Sequence, residues 1–190
     1  MLAVSGIIDF RTPAAGFDQP IQMWLACHER ILRMLALLLQ LRDHLANDGA
    51  IESAQVTAAS ILRYFAEAAP RHHEDEELDL FPPLLRLVAA EERNEVAKIV
   101  NALTAEHVQL DRAWMELRPL LVAIDAGARA QLDERVVAHF VDRYQQHIQR
   151  ENDKLTPAFQ CAFDASTMEA IGGAMAARRG VDWKQLRSAS

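Results

Sequence analysis

The sequence predicts an all-α fold, in the form of an up-down-up-down four-helix bundle with an N-terminal extension and a short C-terminal helix. Strand signals are sparse, since runs of β-branched residues are few and apolar residues seldom alternate with polar ones. Apolar residues instead recur every three or four positions along four long segments. The connections between these segments are short, which favours antiparallel neighbouring helices.

Composition narrows the class of protein. The chain has 190 residues, of which 51% are hydrophobic, so it is long enough to bury the core of one domain. A formal charge of −7 without clustered Lys and Arg excludes the usual surface for nucleic acid or an anionic membrane. No apolar run reaches the roughly 18 residues of a membrane span, no secretion signal precedes residue 18, and the two cysteines make no disulfide framework. We therefore expect a cytoplasmic protein.

The first two helices follow from their stripes and boundary residues. The first is predicted over residues 18–47, with Asp18 as N-cap and Pro20 in the first turn. The second is predicted over residues 52–80, and Pro70 should kink or break it, because proline removes a helical hydrogen bond.

The later helices are read in the same way. The third is predicted over residues 91–125, with Pro119 bending its end. The fourth should end near residue 154, limited by Pro157, and a short helix is predicted over residues 167–178.

These elements imply three parts of the chain. Residues 1–17 form an N-terminal extension, residues 18–160 form the bundle, and residues 161–190 form a C-terminal extension that carries the short helix.

Each of the four long helices carries one histidine on its apolar stripe, and these are His28, His72, His107 and His147. A single histidine in such a place is usually a hydrogen-bonded core residue. Four stripes with one histidine each indicate instead that the side chains converge on a site.

Two of these histidines have a glutamate four residues later, giving the pairs His72 with Glu76 and His147 with Glu151. That spacing places both side chains on one helix face, one turn apart. A carboxylate buried in a bundle core is costly unless it is paired or binds a metal. Imidazole and carboxylate together suit iron, zinc or manganese, and facing helices bring them together.

The doubled His72-His73 leaves two possible frames for the first pair. From His147, Glu follows at +4, Leu at +8 and Pro at +10, and the same offsets hold from His72 but not from His73. The apolar stripe agrees, because His73 is rotated by about 100° from it. We therefore predict that His72→Ala loses most metal and His73→Ala keeps it. The neighbours on the expected solvated or supporting face are His73, Glu74, Asp75 and Glu77.

The ordered set His28, His72-x-x-x-Glu76, His107 and His147-x-x-x-Glu151, with the stretch HHEDEELDLFPPL, resembles the hemerythrin-like HHE cation-binding family over about residues 18–160. The resemblance implies a non-heme di-iron centre bridged by Glu76, Glu151 and an oxo or hydroxo group. The four stripe histidines would be its other ligands, and zinc or manganese could substitute for iron.

One departure from the oxygen-carrying hemerythrins bears on function. Those proteins have five histidines, one from an HxxxH pair on the third helix, whereas Asp111 and Leu103 stand at these positions around His107. Four histidines, two bridging carboxylates and one bridging oxygen fill about ten of about twelve positions on two irons. About two positions stay open, and Asp111, Glu29 or water could fill one.

The resemblance implies a di-iron protein that binds oxygen or a related small oxidant, such as peroxide or nitric oxide, for sensing, storage or protection. Open positions favour reactivity over reversible carriage. Two alternatives stay open, a metal-free helical interaction module with a polar histidine seam and a di-iron oxidase or peroxide-consuming enzyme. His44, His139 and Cys27 are expected outside the site, and the sequence identifies no protein partner.

Overall fold

The computed structural model describes residues 16–47, 51–128 and 131–182, and every regular element in these ranges is a helix. In chain order the elements are α1 (Pro20–Ala46), α2 (Ile51–Arg63), a first π-helical segment (Tyr64–Ala68), α3 (Ala69–Glu74), a second π-helical segment (Asp75–Leu80), α4 (Phe81–Leu87), α5 (Arg93–Asp125), α6 (Glu134–Ala162) and α7 (Ala165–Arg178). The all-α prediction is confirmed. Nearly all of the predicted N-terminal extension, residues 1–15, lies outside the described residues, as do residues 183–190 of the C-terminal extension.

The long helices pack side by side. α1 lies against α2 and α6, and α5 lies against the same two helices, so each long helical wall touches two others. Of the helices described, none has the length and apolar character needed to cross a membrane.

The second helical run, residues 51–87, continues through its prolines instead of breaking at Pro70. Just before Pro70, the backbone N–H that ends the first π segment bonds the carbonyl five residues back. This wider turn accommodates a residue that lacks an N–H and crowds the preceding turn. Pro82 occupies the first turn of α4, where a helix needs no N–H donor, and the run therefore reaches Leu87 rather than ending near residue 80.

Two other predicted boundaries are wrong. The N-cap of α1 is Gln19, not Asp18, and its side chain makes no capping bond. α6 passes through Pro157 and ends at Ala162. Beyond the predicted end, Leu155 and Phe159 are fully buried, and their packing offsets the hydrogen bond that the proline removes.

Two apolar clusters occupy the interior, and α1, α5 and α6 run through both. The first apolar cluster adds α2 and includes Ile31, Leu38, Ile61, Leu117, Leu121 and Phe140. The second apolar cluster adds α4 and α7 and includes Trp24, Leu84, Leu103, Leu155, Phe159 and Met175. The predicted site residues lie between these clusters along each helix.

α7 closes the second apolar cluster. It contacts α1 and the second π segment, and a Cβ added at Gly172 would lie 1.8 Å from the backbone oxygen of Phe17, so only glycine permits this approach. Arg179 donates two hydrogen bonds to Asp75, at 2.8 and 2.6 Å. Asp75 is only 2% exposed, so of its two predicted alternatives, a solvated or a supporting face, the solvated one is wrong.

Candidate metal centre

A layer of polar side chains lies between the two apolar clusters. The six predicted site residues are all buried in it: His28, His72, Glu76, His107, His147 and Glu151. His73 is buried beside them. The sequence thus identified this set of side chains, and their role as ligands stays a prediction.

Each of the long helices and the second helical run supplies part of this layer. His28 comes from α1, His72 from α3, His107 from α5, and His147 with Glu151 from α6, while Glu76 lies in the second π segment. The helical spacing of four residues brings the predicted pairs together. The Nε2 atom of His72 is 3.1 Å from Oε1 of Glu76, and Nε2 of His147 is 3.2 Å from Oε1 of Glu151.

The layer divides into two groups of possible ligands, within each of which the ligand atoms lie within 4.8 Å of one another. We define the first half-site as His28, His72, Glu76 and Glu151, and the second half-site as His73, Glu76, His107 and His147.

Each glutamate reaches both half-sites. Oε1 of Glu76 is 3.1 Å from Nε2 of His72, and Oε2 is 3.2 Å from Nε2 of His107. Oε2 of Glu151 is 3.2 Å from Nε2 of His28, and its Oε1 faces His147 in the second half-site. Two carboxylates placed in this way suit a pair of neighbouring cations that share them.

Several inward-facing atoms are buried without a hydrogen-bond partner. They are Nε2 of His28, His72 and His73, Oε2 of Glu76, and both carboxylate oxygens of Glu151. These atoms approach one another closely yet do not form hydrogen bonds, so they point toward shared positions. Because unsatisfied buried polar atoms are costly, a cation at each position would satisfy what the protein leaves unpaired. The donors present therefore fit a metal.

The outward Nδ1 atoms of three of the histidines are held by hydrogen bonds. The three bonds run from His28 to Asn152 Oδ1 at 2.8 Å, from His107 to Glu77 Oε1 at 2.6 Å, and from His147 to Glu106 Oε2 at 3.0 Å. This arrangement turns Nε2 inward and fixes the tautomer, as is usual for histidines that bind metals.

The electrostatics favour a cation. Burial lowers the pKa of His28, but the adjoining Glu151 and Glu76 carboxylates outweigh it and raise that pKa to about 9. Burial raises the pKa of Glu76, and His72 and its other histidine neighbours outweigh that effect and hold the pKa well below its usual range. Burial lowers the pKa of His72 and of His73, which favours neutral imidazoles. Burial lowers the pKa of His107 and of His147 too, but the neighbouring carboxylates outweigh it and raise both. A metal ion requires charged carboxylates and neutral imidazoles, so on binding it would displace a proton from His28, His107 and His147.

His73 is the residue that sequence reasoning misplaced. It is 8% exposed, its ring stacks on that of His107 with centroids 4.0 Å apart, and it belongs to the second half-site. Its burial shows that the solvated face, one of the two predicted alternatives, is wrong, and the supporting role, the other alternative, stays a prediction. Neighbouring helix residues point about 100° apart, so His72 and His73 belong to adjacent half-sites. The two adjacent histidines in the sequence were the signal that could have indicated this.

The other candidates lie outside the ligand groups. Asp111 and Glu29 are exposed, so neither fills a position in the layer. His139 is exposed and accepts a hydrogen bond from Arg143. His44 contacts Ser53 near the end of α1.

Four residues support the site through hydrogen bonds, and three of them follow no pattern that the sequence reveals. Glu77 was predicted on a solvated or supporting face, and it accepts a hydrogen bond from His107. Glu106 and Asn152 adjoin site residues in the chain and were not identified. Trp24 lies in the second apolar cluster, and its Nε1–H donates to Oε1 of Glu76 at 2.6 Å.

Comparison with known proteins agrees with this geometry. The hemerythrin HHE cation binding domain matches residues 19–159 of the chain. An uncharacterized protein of Haemophilus influenzae is 30% identical over 167 residues, which cover 88% of this chain and 94% of that relative. Both matches extend across all the residues of the two half-sites.

Proposed function

This chain belongs to the hemerythrin HHE cation binding domain family, and from that premise we propose that it is a cytoplasmic protein holding two iron ions, one in each half-site. In this proposal it binds dioxygen, or a related small oxidant such as peroxide or nitric oxide, for sensing, storage or protection. Zinc or manganese would occupy the same donors.

One observation carries the proposal: buried, unpaired nitrogen and oxygen atoms converge on two adjacent positions that share Glu76 and Glu151. Mixed imidazole and carboxylate donors suit iron better than magnesium or calcium, which prefer oxygen alone. Two carboxylates shared between positions favour a pair of ions over a single ion.

His73 changes the expected number of open positions. Two six-coordinate ions have about twelve positions. Five imidazoles, two bridging carboxylates and one bridging oxygen fill about eleven of them, whereas four imidazoles with the same bridges fill about ten. The site would then have five histidine ligands, as many as the oxygen-carrying hemerythrins that the chain resembles, although the fifth comes from α3 and not from α5. With one open position fewer, reversible binding of a small ligand is favoured over reactivity.

When bound, iron would supply reversible electron transfer to a small oxidant. The chain's own residues bind and orient the ions through the Nε2 atoms and carboxylates, and the outer hydrogen bonds keep each ring turned inward. The apolar clusters on both sides exclude bulk water from the layer. A dry, shaped layer limits access to small molecules.

The proposal extends to the fold. In the up-down-up-down order, α1, the second helical run, α5 and α6 would alternate in direction, with α7 as the short C-terminal helix. The contacts of α1 and α5 with the same two neighbours support this order.

Two other functions have less support. A metal-free histidine seam would pair its polar atoms with one another. Nε2 of His107 and Nε2 of His147 do pair, at 3.2 Å, whereas Nε2 of His28, His72 and His73, Oε2 of Glu76 and both oxygens of Glu151 are left unpaired. A di-iron oxidase or peroxide-consuming enzyme uses the same centre, and reductant-dependent turnover above that of free iron would favour it.

The direct test is metal content with an optical spectrum on purified protein and on two variants. We expect about two irons per chain, and we now expect both His72→Ala and His73→Ala to lose most of one ion, because each belongs to a different half-site. His139→Ala, which removes an exposed histidine, is the matched control and should keep both ions. Wild-type protein that neither contains nor takes up iron, zinc or manganese would refute the proposal.

A further inference from the structure

The hydrogen bonds behind the two half-sites are not alike. We propose that the second half-site is the stronger donor set, so that it binds its ion more tightly and favours the higher oxidation state, whereas the first half-site exchanges its ion and stays reduced. This inference rests on the proposed function. Glu77 and Glu106 act in it as positioning residues, as do Asn152 and Trp24.

In the second half-site the outer acceptors are carboxylates. His107 donates from Nδ1 to Glu77 at 2.6 Å, and His147 donates from Nδ1 to Glu106 at 3.0 Å. A carboxylate that accepts the Nδ1 proton draws it away from the ring and makes the opposite nitrogen a better donor to a metal. Two of the three histidines in this half-site gain in this way.

In the first half-site the outer contacts are neutral or missing. His28 donates to the amide oxygen of Asn152 at 2.8 Å, and an amide carries no charge to strengthen the ring. Nδ1 of His72 is buried without any hydrogen-bond partner. Neither imidazole of this half-site therefore has a carboxylate that would make its Nε2 a better donor to a metal.

The bridging glutamate adds to the same difference. Trp24, which is 1% exposed, donates its indole N–H to Oε1 of Glu76 at 2.6 Å. Oε1 lies beside His72 in the first half-site, while Oε2, beside His107, accepts no hydrogen bond. A donated hydrogen bond withdraws electron density from an oxygen, so the oxygen that faces the second half-site is the better metal ligand.

Two contacts oppose this trend. Nε2 of His107 and Nε2 of His147 form a hydrogen bond at 3.2 Å, which an ion in the second half-site must replace. Arg150 forms an ion pair with Oε1 of Glu106 and reduces the effect of its charge. The effect of Arg150 is small, because Arg150 is 43% exposed and water screens it, and because Oε2, the oxygen on His147, is the other atom of the carboxylate. Water also screens Glu77, which is 39% exposed, but Glu77 bonds Nδ1 of His107 directly at 2.6 Å. The second half-site therefore stays the stronger donor set.

The difference in metal affinity between the half-sites can be estimated from other proteins. There, loss of an outer hydrogen bond to a metal-binding histidine usually lowers metal affinity by about 10- to 100-fold. The first ion should therefore bind at least about tenfold more tightly than the second. If the second half-site prefers the higher oxidation state of iron by tenfold, the one-electron reduction potentials of the two ions differ by about 59 mV.

The test uses conservative swaps in the full chain. Glu106→Gln removes the charge behind His147 and keeps the shape, and Asn152→Asp supplies a charge behind His28. Glu95→Gln makes the same chemical change at an exposed position of the same helix, α5, and serves as control. Stepwise Co²⁺ titration followed by absorption measures the two affinities, and a redox titration of iron-loaded protein measures the two potentials.

We expect two separated steps in wild-type protein and in Glu95→Gln. Glu106→Gln should weaken the tight step about 10- to 100-fold and raise the lower potential, while Asn152→Asp should strengthen the weak step. If Glu106→Gln does not fold, as judged by circular dichroism, Glu77→Gln removes the equivalent charge behind His107 and should give the same result.

Equal wild-type steps would overturn the inference, as would a Glu106→Gln variant that changes only the weak step or an Asn152→Asp variant that changes neither. Two ions bound with such a pattern would leave the proposed function standing. Failure of wild-type protein to bind either Co²⁺ or iron would instead remove the proposed function and this inference together.

Discussion

The two apolar clusters on either side of the polar layer are built differently. The first apolar cluster is made by long helices whose stripes repeat every three or four residues. The second depends on the short helices α4 and α7, on Gly172 against the backbone of Phe17, and on ion pairs of the half-buried Arg178 and Arg179 with buried carboxylates. The difference shows that helical periodicity alone can complete one side of the layer, whereas the other side needs contacts between distant parts of the chain.

The largest loss of stability should come from removing core volume. Such variants also test whether the two clusters unfold together. Leu117→Ala in the first cluster and Leu84→Ala in the second delete the same atoms from fully buried positions. Each should lower the free energy of unfolding by about 2–5 kcal/mol. Because α1, α5 and α6 cross both clusters, circular dichroism and tryptophan fluorescence should report one shared denaturation transition. Two separate transitions would show that the clusters are independent.

Breaking the buried ion pair should weaken the second cluster. Arg179→Met leaves Asp75 buried without its bidentate partner, and we expect a loss of about 3 kcal/mol, the lower end of the usual range, because Arg178 lies 4.0 Å from the same carboxylate. The matched control is Arg33→Met, which breaks an exposed pair with Glu29 and should cost about 0–1 kcal/mol. Chemical denaturation measures both, and equal losses would contradict the role of Asp75.

Metal binding should strengthen the layer between the clusters. Zn²⁺ at a free concentration 100 times its dissociation constant should raise the free energy of unfolding by about 2.7 kcal/mol for one site. A chelator should reverse the gain, and Glu76→Gln should reduce it, because Glu76 serves both half-sites. A gain confined to one cluster, seen by hydrogen exchange, would contradict a layer that joins the two.

The smallest effect should come from the close approach of α7 to the start of α1. Gly172→Ala places a methyl group where the backbone oxygen of Phe17 now lies, and we expect a cost of about 1–3 kcal/mol. The damage should be local, with amides of α7 exchanging faster while those of α2 are unchanged. An unaffected α7 would show that the approach is not required.

Much of the fold was predictable because helical amphipathicity is a local property. The positions of α1, the second helical run, α5 and α6 follow from their stripes, and the six predicted site residues lie together. The expected break at Pro70 and the expected end before Pro157 are wrong for one reason, since a proline interrupts a helix only where packing and wider turns do not accommodate it. Periodicity carries no information about either.

What the sequence determined by itself is the set of inward-facing donors, because a four-residue spacing on a buried stripe fixes the side of the helix on which His72, Glu76, His147 and Glu151 lie. Only the tertiary structure decided that His73 also faces inward, that Asp75 is buried under Arg179, and that the two half-sites have different outer hydrogen bonds. These depend on which distant side chain stands behind each residue. Such contacts join positions up to 124 residues apart, as in the bond between His28 and Asn152, and no local pattern specifies them.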